Sequence, residues 1–318
     1  MISPGIKRFI RPALFLPHQL EKIRSTEFGN VAEVVRGFKG NYESYQSPTW
    51  GVRLKDVDLI DGTIYTGRGA SVLRPDRRRL PIYVRPKRVM KQGSLFESWM
   101  GNRWFGMWLL DDCLTYSLAQ EHGQPVRTMA AQSPHQRQYA ERLGFHMQPV
   151  EDTHFEELTI FLDQGQNDSK RVRADRIRQK LAGAADKQRH PGVFLLRGRT
   201  GELRLLLNEW EIAERLAVEY GLTVLDPATV PLSQMLHACA GARVIVGVEG
   251  SHLTHGSMVM PNDAALLVIQ PPDRVLPLLK ISCDRQGQKF AFVVGNGPKH
   301  GFHVDWQDVA KTMDLVCA

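Results

Sequence analysis

The chain has 318 residues, 42% hydrophobic and 24% charged, with a formal net charge of +7. That is length and apolar content for two globular domains, and it excludes a fibrous or disordered chain. No apolar run approaches the roughly 18 residues needed to span a bilayer. Four cysteines (Cys113, Cys239, Cys283, Cys317) without C-x-x-C spacing point to buried reduced thiols rather than a zinc site.

The first ten residues lack a signal-peptide core, because Lys7, Arg8 and Arg11 interrupt it, so the reading expects a cytoplasmic protein. Residues 1–50 read as irregular, with a short helix at Leu20–Arg24. Val52–Tyr65 alternates as strands do and contains Asp61-Gly62, a strong turn pair. Leu80–Val84 reads as a further short strand. Trp104–Gln120 reads as a helix, with Trp108, Leu109, Cys113, Leu114 and Tyr116 on one apolar stripe. Arg127–Ala130 reads as a strand. Ser133–Leu143 reads as a helix with Ser133 as N-cap, Pro134 at the first position and Gly144 as terminator. Leu158–Leu162 is a strand, and Asp168–Ala185 is a charged helix leading into a Lys187–Gly192 hinge.

From there the pattern alternates: strand 193–197, helix 208–220, strand 222–225, helix 231–240, strand 243–247, helix 251–259, strand 264–269. Such alternation implies a parallel sheet with covered faces. A last helix over Val304–Cys317 packs back. The domains expected are 1–190 and 191–318. Basic stretches at Arg74–Arg79, Arg85–Arg88 and Lys170–Arg173 read first as a solvated face. Their excess charge also suits an anionic small molecule or peripheral contact with an anionic membrane. No helix-turn-helix, RRM or zinc-finger pattern supports nucleic acid.

The most informative stretch is Val244–Pro261. An apolar strand stops at Gly247, Gly247 and Gly250 frame a turn, and Ser251, His252, Thr254 and His255 follow. A strand feeding a glycine-framed loop and a helix start lets backbone approach a bound anion. Glu249, between the glycines, would repel a phosphate and suits a sugar or ribose hydroxyl. His252 and His255 suit phosphate oxygens. Upstream, Arg197, Arg199 and Arg204 flank a turn after a buried strand, where a guanidinium can pair with phosphate. Asn208 and Glu209 open the next helix, where Asn208 is also a natural N-cap. Asp56-Val-Asp58 is nominally a metal-binding D-x-D. It lies on a strand-like segment whose alternation puts both carboxylates toward solvent, so no metal is expected.

The order of Arg197, Arg204, Asn208, Glu209, Gly247, Gly250, Leu253 and Pro261 resembles glycosyltransferase family 61, which includes capsular polysaccharide enzymes. Asn102, Trp108, Leu109, Leu110 and Asp111 resemble that family's N-terminal helix segment, so the likeness spans about residues 95–275. Met107 stands where the family carries a histidine, and Glu249 where many relatives carry another. The resemblance implies an α/β, GT-B-like fold of two Rossmann-like domains. It implies metal-independent, inverting transfer from a nucleotide sugar, a substrate and not a cofactor, to a surface polysaccharide or glycolipid precursor. Asp111 and Asp112 are the candidate bases. They lie about 100° apart on a helix, so one alone faces a substrate easily. A non-catalytic homologue that binds sugar nucleotide or glycan is the alternative, favoured by Met107 and Glu249. A dinucleotide enzyme fits less well, because a tight G-x-G is missing and Gln270 ends the following strand.

Overall fold

The computed structural model describes residues 1–128, 132–183, 188–199 and 201–318. The far ends of the strand expected to Ala130 and the helix expected to Ala185, and the start of the turn at Lys187, lie outside them. The chain forms two compact units: Met1–Ile6 with Gln46–Lys180, and Lys7–Tyr45 with Leu181–Ala318. Lys7–Tyr45 thus clusters with Leu181–Ala318, where the sequence alone suggests one boundary at residue 190.

The physical reason lies in the segment expected to be irregular. It holds β1 (Ile6–Ile10), one 3-10 turn at Pro17–Leu20 in place of the expected Leu20–Arg24 helix, α1 (Val31–Lys39) and β2 (Tyr42–Gln46). A capping box starts α1: Glu33 N donates to Asn30 Oδ1 at 2.9 Å, and Asn30 N donates back to the Glu33 carboxylate. Val34 and Phe38, one turn apart, form its buried face. Phe38 stacks on Phe290 and Phe292 of the second unit, with centroids 5.9 and 4.2 Å apart. The backbone at Leu14 bonds Phe290 and Phe292 and so covers the edge of that unit's sheet.

The first unit contains β3 (Trp50–Ile60), β4 (Thr63–Thr66), β5 (Gly69–Val72), β6 (Val89–Leu95), α2 (Trp99–Arg103) and α3 (Phe105–Met107). After a π turn at Trp108–Asp112 come α4 (Cys113–His122), β7 (Pro125–Thr128), α5 (Pro134–Leu143), β8 (Gln148–Val150), β9 (Thr153–Leu162) and α6 (Asp168–Ala182). Its seven-stranded sheet runs β5-β4-β3-β9-β6-β7-β8. The β5, β4, β3 and β9 pairings are antiparallel, while β9, β6, β7 and β8 are parallel. This mixed sheet replaces the Rossmann-like half implied by the resemblance. Asp61 and Gly62 turn the β3–β4 hairpin with φ of 43° and 73°, the left-handed pair such turns need. Leu80–Val84 forms no strand. Pro81 offers no amide hydrogen to a ladder, and Ile82 and Val84 point to solvent. Ser133 and Gly144 bound α5 as expected, the latter left-handed at φ 66°.

Asp163, just past β9, organises this unit. It is buried and accepts from Arg173 Nη1 and Nη2 at 2.8 Å each, Thr49 Oγ1 at 2.8 Å and Thr115 Oγ1 at 3.1 Å. The second unit is built from β10 (His190–Leu195), α7 (Glu209–Tyr220), β11 (Leu222–Leu225), α8 (Leu232–Gly241), β12 (Ala242–Val248), α9 (Leu253–Ser257), β13 (Ala265–Gln270), α10 (Leu278–Gln286), β14 (Lys289–Val294) and α11 (Trp306–Cys317). Its five strands are all parallel, in the order β11-β10-β12-β13-β14. Alternate residues such as Phe194, Val246 and Leu267 face α7 and α11, and both faces are buried, as the near-continuous apolar runs demand. All four cysteines are free thiols, three of them buried.

Burial alone would raise the Asp163 carboxyl, but the hydrogen bonds from Arg173 and the charges of Lys170 and Arg173 outweigh it and hold it below its ordinary 3.8. A depressed folded value stabilises above the unfolded one and is lost as pH falls through the folded one. Asp163→Asn leaves the Arg173 guanidinium buried without its partner. We expect a loss of about 3–5 kcal/mol in urea unfolding near neutral pH. The gap from wild type should close below about pH 3.8, the unperturbed carboxylate value. A constant gap across pH would contradict this assignment.

Candidate functional site

In the second unit β10 connects outward to β11 on one side, and the chain then returns to β12 on the other. The carboxyl ends of β10 and β12 thus flank the topological switch point, where open α/β sheets bind ligands. Arg197 follows β10 there, and Glu249 and Gly250 follow β12. A cavity lined by His190, Pro191, Gly221, Thr223 and His237 lies instead at the amino ends of β10 and β11, away from this point.

The switch point brings together much of what the sequence singled out. Gly250, at φ 157°, lies so close to the Arg197 guanidinium that an added Cβ would collide with Nη1. The same Cβ would be 3.1 Å from His252 Nδ1. A Cβ on Gly247 would meet the Leu195 carbonyl at 2.6 Å and Leu253 Cδ2 at 2.8 Å, so this glycine lets β10, β12 and α9 approach. Arg197 also donates to the Glu202 carbonyl. Burial, with Arg204 and Arg274 nearby, lowers its guanidinium to about 10, which leaves it charged near neutral pH. Glu209 holds the loop by its backbone, accepting from Arg197 N at 2.7 Å and Gly198 N at 2.9 Å. Burial raises its carboxyl.

Glu249, read as an acceptor for a sugar hydroxyl, carries two arginines in the structure. Arg204 Nε and Arg274 Nη1 each pair with its Oε2 at 3.0 Å. Arg274, at the end of β13, also reaches Glu202 at 3.1 Å and Glu27 at 3.0 Å. The sequence reading missed Arg274, and the Pro271-Pro272-Asp273-Arg274 turn after a buried strand is the signal that could have found it. Asn208 makes no side-chain N-cap bond and binds backbone instead, donating to the Val304 carbonyl at 3.0 Å and accepting from Val304 N at 3.2 Å. Gln270 does the same for Leu276. Arg199 is exposed on the turn, apart from this cluster's buried arginines. Ser251 offers its carbonyl to Thr254 Oγ1 at 2.5 Å, and His255 is buried one turn on. The helix expected over 251–259 shortens to α9, whose five residues carry too little dipole to attract an anion. Positive charge here comes from the arginines.

The two candidate bases lie in the first unit and differ sharply. Asp112 is buried, and Ser98 occupies it through N at 3.1 Å and Oγ at 2.7 Å. Burial pushes its carboxyl well up. It anchors Ser98, the N-cap of α2. Asp111 is 26% exposed and forms an ion pair with Lys170, which is buried and also bonded to the Asp163 carbonyl at 2.7 Å. A third carboxylate, Glu97, follows β6. It accepts from Thr128 N and Oγ1 at 2.8 Å each, and burial raises it. Asp58 also departs from expectation. It is buried, 2.7 Å from His154 Nδ1, while Asp56 has φ 55° and pairs with Arg85 at 2.8 Å. The left-handed residue breaks the alternation that would put both carboxylates outward. Among the described residues, no group of three or more His, Cys, Asp or Glu could hold a metal ion.

A buried, largely ion-paired arginine cluster thus sits at the switch point of the parallel sheet. The family model described as Glycosyltransferase 61 matches residues 72–267, more than half of the chain. The chain belongs to the glycosyltransferase 61 family, which places it among the glycosyltransferases. No curated protein matches it. Among solved structures it is similar to the metal-soaked Flv1 flavodiiron core from Synechocystis sp. PCC6803, at 9% identity and a TM-score of 0.29. That match covers 52% of this chain and 42% of the other, less than half its length.

Arg274→Met keeps apolar bulk while leaving Glu249 one of its two arginines. We expect a loss of about 3 kcal/mol in denaturant unfolding, as for breaking a buried charge pair. An unchanged midpoint would show that the pair is solvated.

Proposed function

We propose that the chain moves a sugar from a nucleotide sugar to a hydroxyl of a surface polysaccharide or glycolipid precursor, such as a capsular one. Displacement at the anomeric carbon is direct, inverts its configuration and uses no metal. The observation that carries this reading is the Arg197–Gly250–His252 cluster at the switch point. A nucleoside diphosphate gains negative charge as the glycosidic bond breaks, and a fixed guanidinium aimed there lowers the barrier. Arg197 is fixed: its backbone is held by Glu209 and its side chain packs on bare Gly250. Gly247, Ser251, Thr254 and His255 shape the same loop. The all-parallel unit supports a donor domain of a GT-B-like protein, and the mixed-sheet unit serves the acceptor.

An inverting transfer needs a base for the acceptor hydroxyl. Asp111 takes that role in this proposal, because it alone of the adjacent pair reaches solvent. The non-catalytic reading draws on Met107, which transfers no proton, and on the burial of Asp112. Among the described residues no helix is long and apolar enough to cross a membrane. The basic balance suits peripheral contact with an anionic inner leaflet, on the cytoplasmic side.

Arg197→Ala should weaken nucleoside diphosphate binding by about 1.5–3 kcal/mol, read by calorimetry. Unchanged affinity in the folded variant would remove Arg197 from the site. Asp111→Asn should cut turnover by roughly 10²–10⁴ while nucleotide affinity holds. If Glu97→Gln gives that pattern instead, the base is Glu97. Should wild type neither transfer sugar nor hydrolyse any nucleotide sugar in a broad panel, the non-catalytic reading stands.

A further inference from the structure

We propose that the donor's diphosphate binds together with a proton, which settles on the His252 imidazole wedged between Gly247, Gly250 and Arg197. This rests on the donor-site reading above. Both ring nitrogens are shielded from solvent, and neither makes a well-formed hydrogen bond in the protein, although the Leu195 carbonyl lies beside the ring. An imidazole always presents at least one donor and, when neutral, one acceptor, and leaving both unmet in a buried place is costly. The ring sits against the switch-point backbone: a Cβ on Gly247 would lie 3.4 Å from its Nε2, and one on Gly250 3.1 Å from its Nδ1. The ring thus lies next to the Arg197 guanidinium, which the donor-site reading gives to the anion.

Charges around the ring explain why the proton waits for the ligand. Burial disfavours the imidazolium most, and the charge of Arg197, then His255 and Arg204, adds to it, so the ring is held well below 6.5. The Leu195 carbonyl beside it favours the proton and is outweighed. Glu249, one turn back, spends its carboxylate on Arg204 and Arg274, and Glu209 spends its own on the Arg197 and Gly198 amides. A bound diphosphate brings more than one negative charge, offsets the arginines and accepts from the ring. The imidazolium then has a ligand oxygen for one N–H and the Leu195 carbonyl side for the other. When the anomeric C–O bond breaks, its electron pair goes to the diphosphate oxygen, and His252 faces the charge that develops.

The test uses the full chain with labelled histidine and inorganic pyrophosphate. Imidazole carbon and nitrogen resonances are followed by NMR at about pH 6.5, the unperturbed histidine value, and the His252 signal is assigned by its loss in His252→Gln. A neutral ring that becomes imidazolium on pyrophosphate addition is the expected result. In parallel, wild-type affinity for pyrophosphate should exceed that of His252→Gln by about tenfold at acidic pH, with the gap narrowing as pH rises. Saturating pyrophosphate with a ring that stays neutral overturns the proton coupling and leaves the donor site intact. Failure of wild type to bind pyrophosphate or any nucleoside diphosphate overturns both.

Discussion

The structure of the second unit turns on one close approach: the Arg197 guanidinium lying against the bare backbone of Gly250. Any side chain at residue 250 would occupy the guanidinium's place. The approach also needs Gly247, which lets the ends of β10 and β12 and the start of α9 close around the loop. Parallel sheets of this order leave a gap where consecutive connections part to opposite sides. Here that gap holds a fixed positive charge and a buried imidazole without a well-formed hydrogen bond, not an apolar plug.

Concentrating charge in this way needs compensation, and the chain supplies it from far apart. Arg197, Arg204 and Arg274 are all buried, among Glu249, Glu202, Glu209 and Glu27. Glu249 serves as the counter-ion of Arg204 and Arg274 and, with Glu209, also offsets part of the charge on Arg197. The first unit uses the same device around Asp163, whose partners Arg173 and Lys170 extend the charge chain to Asp111. A carboxylate tied to a buried lysine is held in place, and Asp112 beside it is spent on the Ser98 cap. Adjacent aspartates in the π turn thus divide the work of positioning and of anchoring.

What the sequence made legible follows local rules. The β/α alternation after residue 190, the Asp61-Gly62 hairpin and the Ser133 and Gly144 ends of α5 depend on neighbours a few residues apart, and they stand as read. So does the meeting of Arg197 with the 247–252 loop, because strand ends next to each other in a parallel sheet are fixed by the alternation. The capping box at Asn30–Glu33 and the apolar run of β14 were legible but unread. Long-range pairing was not legible. Arg274 finds carboxylates 25, 72 and 247 positions away, and no spacing rule reports them. Asn208 carries equal signals for a cap and a ligand, and tertiary packing assigns it to Val304. Asp58 fails the alternation rule because Asp56 takes a left-handed conformation two residues earlier.

The central claim is that the ends of β10, β12 and β13 form the donor site. Hydrogen exchange, read peptide by peptide with a panel of nucleoside diphosphates at saturation, tests it most directly. The account predicts slowed exchange in peptides covering 195–199, 247–256 and 270–276. Slowed exchange confined to the first unit, or to the 188–191 and 221–223 end of the sheet, would contradict it.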